Sequence, residues 1–548
     1  MKKLIHFINK YSDAPYVLII SLVLFSGFSY ALILSIINAA ETNVSTGMDH
    51  FQAGLFAAFV ILFTLHMSTK KLSQNRMIAM SQDIVKNIRL NILGKIRHTE
   101  LRFIEETGTG LIYARLTEDT KSFSQSAPNM IMAIESSVSL TSILCYILSQ
   151  SLAAFMIVII LLSLCFMIYK SAYIPAREKL QLSRKKEAEF FERLKDVLYG
   201  FKEIRVSYQK NEELFADVND ITRETKELKT DAQITLNGCF MIINATYLII
   251  LCSIVFVFPI YNKVTNYQVI SLVSALLFVW GPIMVIFRSI ISFMMSAVSI
   301  DNLTELEAII DKFNTYTPKA PPDPMVDFTE ISLKSIKYSY LDKDGTHLFD
   351  VGPLDFTFKK GEIVFVVGGN GSGKSTLMKI LTGLYYPEQG GEITVDGTIV
   401  THHIYQSYRE LFSTIFTDFH LFRKFYGARK VNREKLFKLL KIMELSKKTK
   451  FFKGRLTNID LSTGQKKRLA YIMSLLENKP IYVFDEWAAD QDPTFRKKFY
   501  QNFLENMRAR NKTVIAVSHD DRYFGMADRV IKMENGRIVP FDPPCSAE

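Results

Sequence analysis

The sequence predicts two parts in series: a polytopic α-helical membrane domain with six transmembrane helices, followed by an α/β domain. Three observations carry that prediction. Hydrophobic residues make up 48% of the 548 residues and charged residues only 22%, which excludes a disordered or fibrous chain and is hard to reconcile with a wholly soluble one. The apolar residues gather in long runs in the first half. Beyond a proline-rich stretch near residue 320, short apolar strands alternate with helical patterns, as in an α/β domain.

A bilayer core about 30 Å thick needs about 20 helical residues to cross. Six segments meet that length: 15–40, 51–68, 127–150, 151–174, 235–261 and 267–296. The third and fourth touch at Gln150 and Ser151, which requires a very tight turn. Lys2, Lys3 and Lys10 precede the first, and Asn38, Ala39 and Ala40 could mimic a cleavage site. Its apolar run is nevertheless longer than the roughly 7–15 residues of a signal core, so it reads as a retained span.

Lys and Arg set the orientation. The segment 69–126 carries Lys70, Lys71, Arg76, Lys86, Arg89, Lys95, Arg97, Arg102, Arg115 and Lys121, and 175–229 is similarly basic. By contrast 41–50 has no Lys or Arg, and the loop near Asn262 has only Lys263. Positive charge marks the cytoplasmic side, so both termini and both long loops are expected inside, with the chain in the inner (cytoplasmic) membrane. Anionic lipid then accounts for the net charge of +11 without nucleic acid as a partner. Both basic loops have helical periodicity and read as helical hairpins extending into the cytoplasm. The five cysteines, Cys145, Cys165, Cys239, Cys252 and Cys545, have no metal-ligand spacing and predict neither a zinc site nor a disulfide framework. The expected division is a membrane domain over 1–310, a Pro-rich linker over 311–324 and a soluble domain over 325–548.

The chemistry lies in the soluble part. The apolar strand 363–367 runs into Gly368, Gly369, Asn370, Gly371, Ser372, Gly373, Lys374, Ser375 and Thr376, and then into a helical pattern. This is G-x-x-x-x-G-K-[ST] between a strand and a helix. Glycines let backbone N–H groups approach phosphates, Lys374 reaches the β and γ phosphates, and Ser375 can hold Mg²⁺. A second apolar strand, 481–484, ends in Asp485 and Glu486, which suits Asp485 to the Mg²⁺ shell and Glu486 to polarising water. Between them, LSTGQKKRLA places Ser462, Gly464 and Gln465 at a helix start, a second phosphate-binding N-terminus. One P-loop domain has no need of two such sites for one nucleotide. The economical arrangement is two domains face to face, each signature closing over the other's ATP.

The ordered set of P-loop, LSxGQ signature, acidic strand end and His519 in AVSHD resembles the nucleotide-binding domain of ABC transporters. The resemblance implies that His519 contacts the γ-phosphate, that Tyr340 stacks on adenine, and that Ala489 to Asp492 form the D-loop. Segment 103–119 is similar to the first intracellular loop of exporters with six helices and one ATPase domain, and 203–215 to the second. In that family such loops end in short coupling helices docked on the ATPase domains. GFKEIR, FTDFHLF and LSTGQKKRLA look closest to the cyclic-peptide exporter branch, which includes pyoverdine-precursor, syringomycin and microcin exporters. The expected fold is therefore the type IV ABC exporter fold, and the expected cofactors are ATP and Mg²⁺.

Three departures from the family pattern bear on coupling. Thr417, followed by Asp418, stands where a Q-loop Gln is usual, and Asp418 is a candidate replacement near Mg²⁺. The acidic X-loop is replaced by Lys453, Gly454 and Arg455. The D-loop reads Ala-Asp-Gln-Asp. Within the spans, Glu135, Arg288 and His66 are the ionisable residues of note; charge in a bilayer by default marks a pathway, with Arg288 placed to snorkel to the interface.

These readings converge on a homodimeric, ATP-driven exporter working by alternating access on a small peptide-like or siderophore-like substrate. The alternatives within transport are a lipid flippase or a siderophore importer on the same fold. A rival of another class is an ATP-gated channel or sensor.

Overall fold

The computed structural model describes residues 2–12, 16–45, 52–261, 265–314, 323, 325–341, 346–427 and 431–541. The first residues of the first two expected spans, the short loops near residues 46–51 and 262–264, and residues 315–322 and 324 of the Pro-rich linker lie outside them.

A short helix α1 (Lys2–Tyr11) precedes α2 (Tyr16–Ser45) and α3 (Ala53–Ile96). The first long loop holds α4 (Leu101–Thr107) and α5 (Thr109–Ala114). Then follow α6 (Thr120–Gln150), α7 (Leu152–Tyr199), α8 (Phe201–Val206) and α9 (Tyr208–Cys252). The last of these continues through a π-helical turn into α10 (Phe258–Tyr261), and α11 (Asn266–Lys312) closes the membrane half. Six of these helical stretches are long and apolar enough to cross a membrane. The expected spans are their apolar portions, the rest of α3, α7 and α9 is the helical extension expected for the two basic loops, and α11 runs on past the last span to Lys312.

The chain divides into two compact units, 1–91 with 113–305, and 92–112 with 306–548. In the first, aliphatic positions pack helix on helix, among them Leu34, Ile143, Val158, Ile243, Leu276 and Ile283. Gly27 lets α2 pack tightly on α6: a Cβ there would lie 2.7 Å from Val138. One residue joins α6 to α7. Ser151 is extended (φ −162°, ψ 124°) and its hydroxyl accepts from Ala154 N, so it ends one helix and caps the next. Beside Gly27, Ser26 Oγ donates to Glu135 Oε1 at 2.7 Å, Lys70 Nζ lies 3.5 Å from the same oxygen, and His66 Nδ1 is 3.0 Å from Ser26 O. Glu135 and His66 are thus buried in a polar cluster joining α2, α3 and α6. Arg288 is exposed on α11.

The second unit is α/β. Strands β1 (Glu330–Leu341), β2 (His347–Lys359), β3 (Ile363–Gly368), β4 (Glu392–Val395), β5 (Thr398–Ile399) and β6 (Phe412–Ile415) are followed by a hairpin of β7 (Phe451–Phe452) and β8 (Arg455–Leu456). Then come β9 (Ile481–Phe484), β10 (Thr513–Val517), β11 (Arg529–Glu534) and β12 (Arg537–Val539). An antiparallel sheet has the order β2-β1-β4-β5, and a second sheet the order β12-β11-β3-β10-β9-β6, parallel except at β12. The residues of β3, β9 and β10 are almost wholly buried, as expected for strands covered on both faces. Helices α12 (Lys374–Leu381), α13 (Tyr405–Arg409), α14 (Arg433–Ile442), α15 (Thr463–Glu477) and α16 (Pro493–Lys498) pack around them. Lys453 and Gly454, in place of an acidic X-loop, make the tight turn between β7 and β8, both with positive φ (48° and 78°), the backbone that two-residue hairpin turns favour.

Candidate functional site

The strand order puts β3, β10 and β9 side by side, so the segments leaving their carboxyl ends converge. That end of a parallel sheet is where α/β domains place ligand sites. The segments are the Gly-rich loop after β3, Asp485 and Glu486 after β9, and Ser518 and His519 after β10.

In the loop, Gly371 and Gly373 have φ of 75° and 99°, a conformation costly for residues with a Cβ. At Gly368 a Cβ would lie 2.3 Å from Met533 O. Lys374 begins α12, is buried, and donates to Gly368 O and Gly369 O at 3.0 and 2.9 Å, which draws the loop around its ammonium. Asn370, Gly371 and Ser375 line the exposed rim. The Tyr340 hydroxyl is 3.1 Å from Thr376 Oγ1, and the Tyr340 ring packs edge-on against Tyr338 and Tyr385.

Asp485 is buried, and its Oδ1 has no hydrogen-bond partner. Burial pushes its carboxyl above the usual range, opposed by the nearby Ser375 hydroxyl and the charges of Lys374 and Lys467. Buried polar atoms without partners are rare and call for an explanation. A carboxylate oxygen of this kind next to a Ser hydroxyl is a hard-oxygen donor set that fits Mg²⁺.

Glu486 sits in the left-handed region (φ 51°), which for a residue with a Cβ costs about 1–3 kcal/mol and is characteristic of functional sites. Its Oε1 is 3.0 Å from His519 Nε2. Beside this pair is a cleft of about 400 Å³ lined also by Arg496, Tyr500 and Asp520. The arrangement suits proton handling: a half-exposed carboxylate oriented by an imidazole next to a phosphate-binding loop.

Ser462 precedes α15 as its N-cap, exposed and without a capping hydrogen bond from its side chain. A Cβ on Gly464 would approach Asp490 O to 2.8 Å, and Gln491 Nε2 donates to Gly464 O at 3.1 Å. Arg468 Nε donates to Gln491 Oε1, and Arg468 Nη2 to Asp492 Oδ2, at 2.9 and 2.5 Å. Asp492 also caps α16 through Phe495 N, which holds its carboxyl below the ordinary range, with Arg468 assisting. Gln465 is half-buried in the first turn. The signature and the segment 489–492 are therefore bound together within one chain. Thr417 and Asp418 form an exposed turn after β6.

The sequence did not single out several residues that the structure ties to this site. In α4, Glu105 accepts from Lys379 Nζ at 2.8 Å and from the Tyr385 hydroxyl at 2.5 Å, while Leu101 packs on the same core. Burial and Glu105 both push the Tyr385 hydroxyl upward, which keeps it a donor. Lys467 and Trp487 are buried between the signature and the Asp485–Glu486 segment. The only available signal was chemical mismatch: a lysine on the inward side of α15, and an acid in an otherwise docking helix.

Comparison with known proteins gives the family. Residues 16–283 match the ABC transporter transmembrane region and 351–489 the ABC transporter domain. The chain is 30% identical over 494 residues to ATP-binding protein SyrD of Pseudomonas syringae pv. syringae, spanning 85% of this chain and 84% of that protein. The chain is an ABC transporter. It is similar as well to an ATP-dependent lipid A-core flippase of Pseudoalteromonas translucida (strain TAC 125), at 23% identity over 98% of this chain and 94% of the other. In fold it matches a bacterial Atm1-family ABC exporter solved with ATP bound, with a TM-score of 0.74 at 19% identity, covering 95% of this chain and 93% of that one. This ABC transporter is thus a multi-pass membrane protein of exporter fold, whose ATPase domain binds ATP and couples its hydrolysis to transport.

Proposed function

We propose that two copies of this chain form an exporter in the inner membrane, both termini cytoplasmic, that moves a peptide-like or siderophore-like molecule outward by alternating access. The observation that carries the reading is the Glu486–His519 pair at 3.0 Å beside the Asp485–Ser375 donors, an arrangement equipped for turnover rather than for ATP-gated opening alone.

In this reading the loop amides from Gly368 to Gly373, with Asn370, Lys374, Ser375 and Thr376, bind the phosphates, and Tyr340 stacks on adenine. Ser375 and Asp485 would hold Mg²⁺, which when bound would offset the negative charge of the phosphates. Glu486 polarises the attacking water, and His519 orients Glu486 and contacts the γ-phosphate. Ser462, Gly464 and Gln465 of one chain cover the nucleotide of the other, and Asp492 fixes the D-loop that accompanies them. A second copy is also suggested by the tip of the α7–α9 hairpin, where Tyr199, Phe201, Val206 and Tyr208 are all more than half exposed. Such a cluster needs a covering surface.

The substrate class rests on the wording of GFKEIR, FTDFHLF and LSTGQKKRLA. A lipid is the second reading, favoured by the full-length similarity to a lipid A-core flippase. Inside-out vesicles with ATP added outside test direction and orientation together. ATP-dependent uptake of a labelled lipopeptide or siderophore, with stimulated ATPase, is the expected result; uptake only in right-side-out vesicles would reverse the orientation, and stimulation by lipid alone would favour the flippase.

Asp418 is proposed to stand in for the missing Gln, through water or as a hinge contact. A Mg²⁺ titration separates the roles: Asp418→Ala is expected to raise the Mg²⁺ requirement and weaken substrate stimulation, with Thr417→Ala near wild type. Equal small effects from both would leave Ser375 and Asp485 as the sole metal-holding pair.

A further inference from the structure

We infer that Lys467 is a positioning residue for hydrolysis: it holds the Glu486 peptide in its left-handed conformation and ties the catalytic segment to the signature helix of the same chain. The inference rests on the reading of Glu486 as the group that polarises water.

Lys467 lies in the second turn of α15 and is 3% exposed. An ammonium near a helix N-terminus opposes the helix dipole, and a buried one must be paired. Its partners are two, each at 2.7 Å: the carbonyl oxygen of Glu486 and Oδ2 of Asp490. From the other direction, Trp487 Nε1 donates to Lys467 O at 2.8 Å. Glu486 O also accepts from Ala489 N at 3.3 Å. The charge-assisted bond from Lys467 is therefore the shorter of the two that hold this carbonyl.

The consequence is geometric. With its carbonyl drawn inward to Lys467 and φ at 51°, Glu486 sends its carboxylate the other way, to His519 Nε2 at 3.0 Å. A neutral side chain at position 467 would remove the ion that offsets the cost of that backbone conformation, and the peptide would be free to relax. The same ammonium grips Asp490, whose segment is fastened to the signature by Gln491 and Arg468. One buried charge thus links the group serving the chain's own nucleotide to the helix start proposed to cover the other nucleotide. Asp490 is half-exposed, so water replaces it more readily than it replaces the buried Lys467.

The test uses the full-length protein in lipid nanodiscs. Lys467→Met keeps the volume and removes the charge, and Lys467→Gln is a second variant should the first fold poorly. Expected is a fall in kcat of about tenfold or more with KM for ATP within about threefold, since lost orientation acts on the transition state rather than on binding. Asp490→Asn is expected to lose less. The decisive arm is the Glu486→Gln background, where Lys467→Met should lower the residual rate no further, because residues acting as a unit are not additive. Unchanged kcat in both variants, a rise in KM matching the fall in kcat/KM, or the same fold-loss in both backgrounds would overturn the inference. Glu486→Gln alone is read separately: full turnover there would overturn the role of Glu486 and not the pairing of Lys467.

Discussion

Glu486→Gln protein is expected to bind ATP about as tightly as wild type and to turn it over at least about 10²-fold more slowly, the usual cost of removing a positioned base. The amide keeps the size of the carboxylate and can still meet His519, 3.0 Å from Oε1, so the nucleotide pocket survives while proton acceptance is lost. Lys374→Ala should behave differently. It deletes the ammonium around which the Gly368 and Gly369 carbonyls fold, so binding and turnover should both fall. Equilibrium binding of a fluorescent ATP analogue beside phosphate release separates the two patterns. Near-normal hydrolysis by Glu486→Gln would remove Glu486 as the base.

The second large effect is expected from mixing two inactive chains. Lys374→Ala destroys the phosphate loop, and Ser462→Arg places a bulky cation at the exposed start of α15. Each variant alone should be nearly inactive if every site needs a loop from one chain and a signature from the other. Co-expressed with two different tags and purified through both, the mixed pair contains one site with neither lesion, so activity should return to a substantial fraction of wild type. Hydrolysis by a strict monomer in dilute detergent, or a mixed pair as inactive as its parents, would contradict sharing.

The elements that a local pattern determines were legible in the sequence. Six long apolar runs mark the spans because a bilayer leaves no other use for them, and a buried strand running into a glycine-rich loop and a helix marks a phosphate cradle. Even the abrupt turn at Ser151 followed from two spans with nothing between them. What pattern could not supply was the pairing of residues distant in the chain. Glu105 meets Lys379 and Tyr385, and Glu135 meets Ser26 and Lys70, through packing that no spacing rule encodes. Lys467 was hidden for a related reason: it sits among charged neighbours in LSTGQKKRLA and looks solvated until the fold closes over it.

The one-residue joint at Ser151 limits how the two helices it connects can move. With no slack between them, α6 and α7 cannot slide lengthwise past one another by more than about one residue, roughly 1.5 Å along a helix axis. They can only swing about the joint, like the legs of a pair of dividers. Because α7 runs for 48 residues, about 72 Å at 1.5 Å per residue, a swing of only about 10° at Ser151 carries its far end roughly 12 Å. A small angular change at one end of the membrane domain is thereby converted into a displacement of more than two helical turns at the other, with no helix needing to bend.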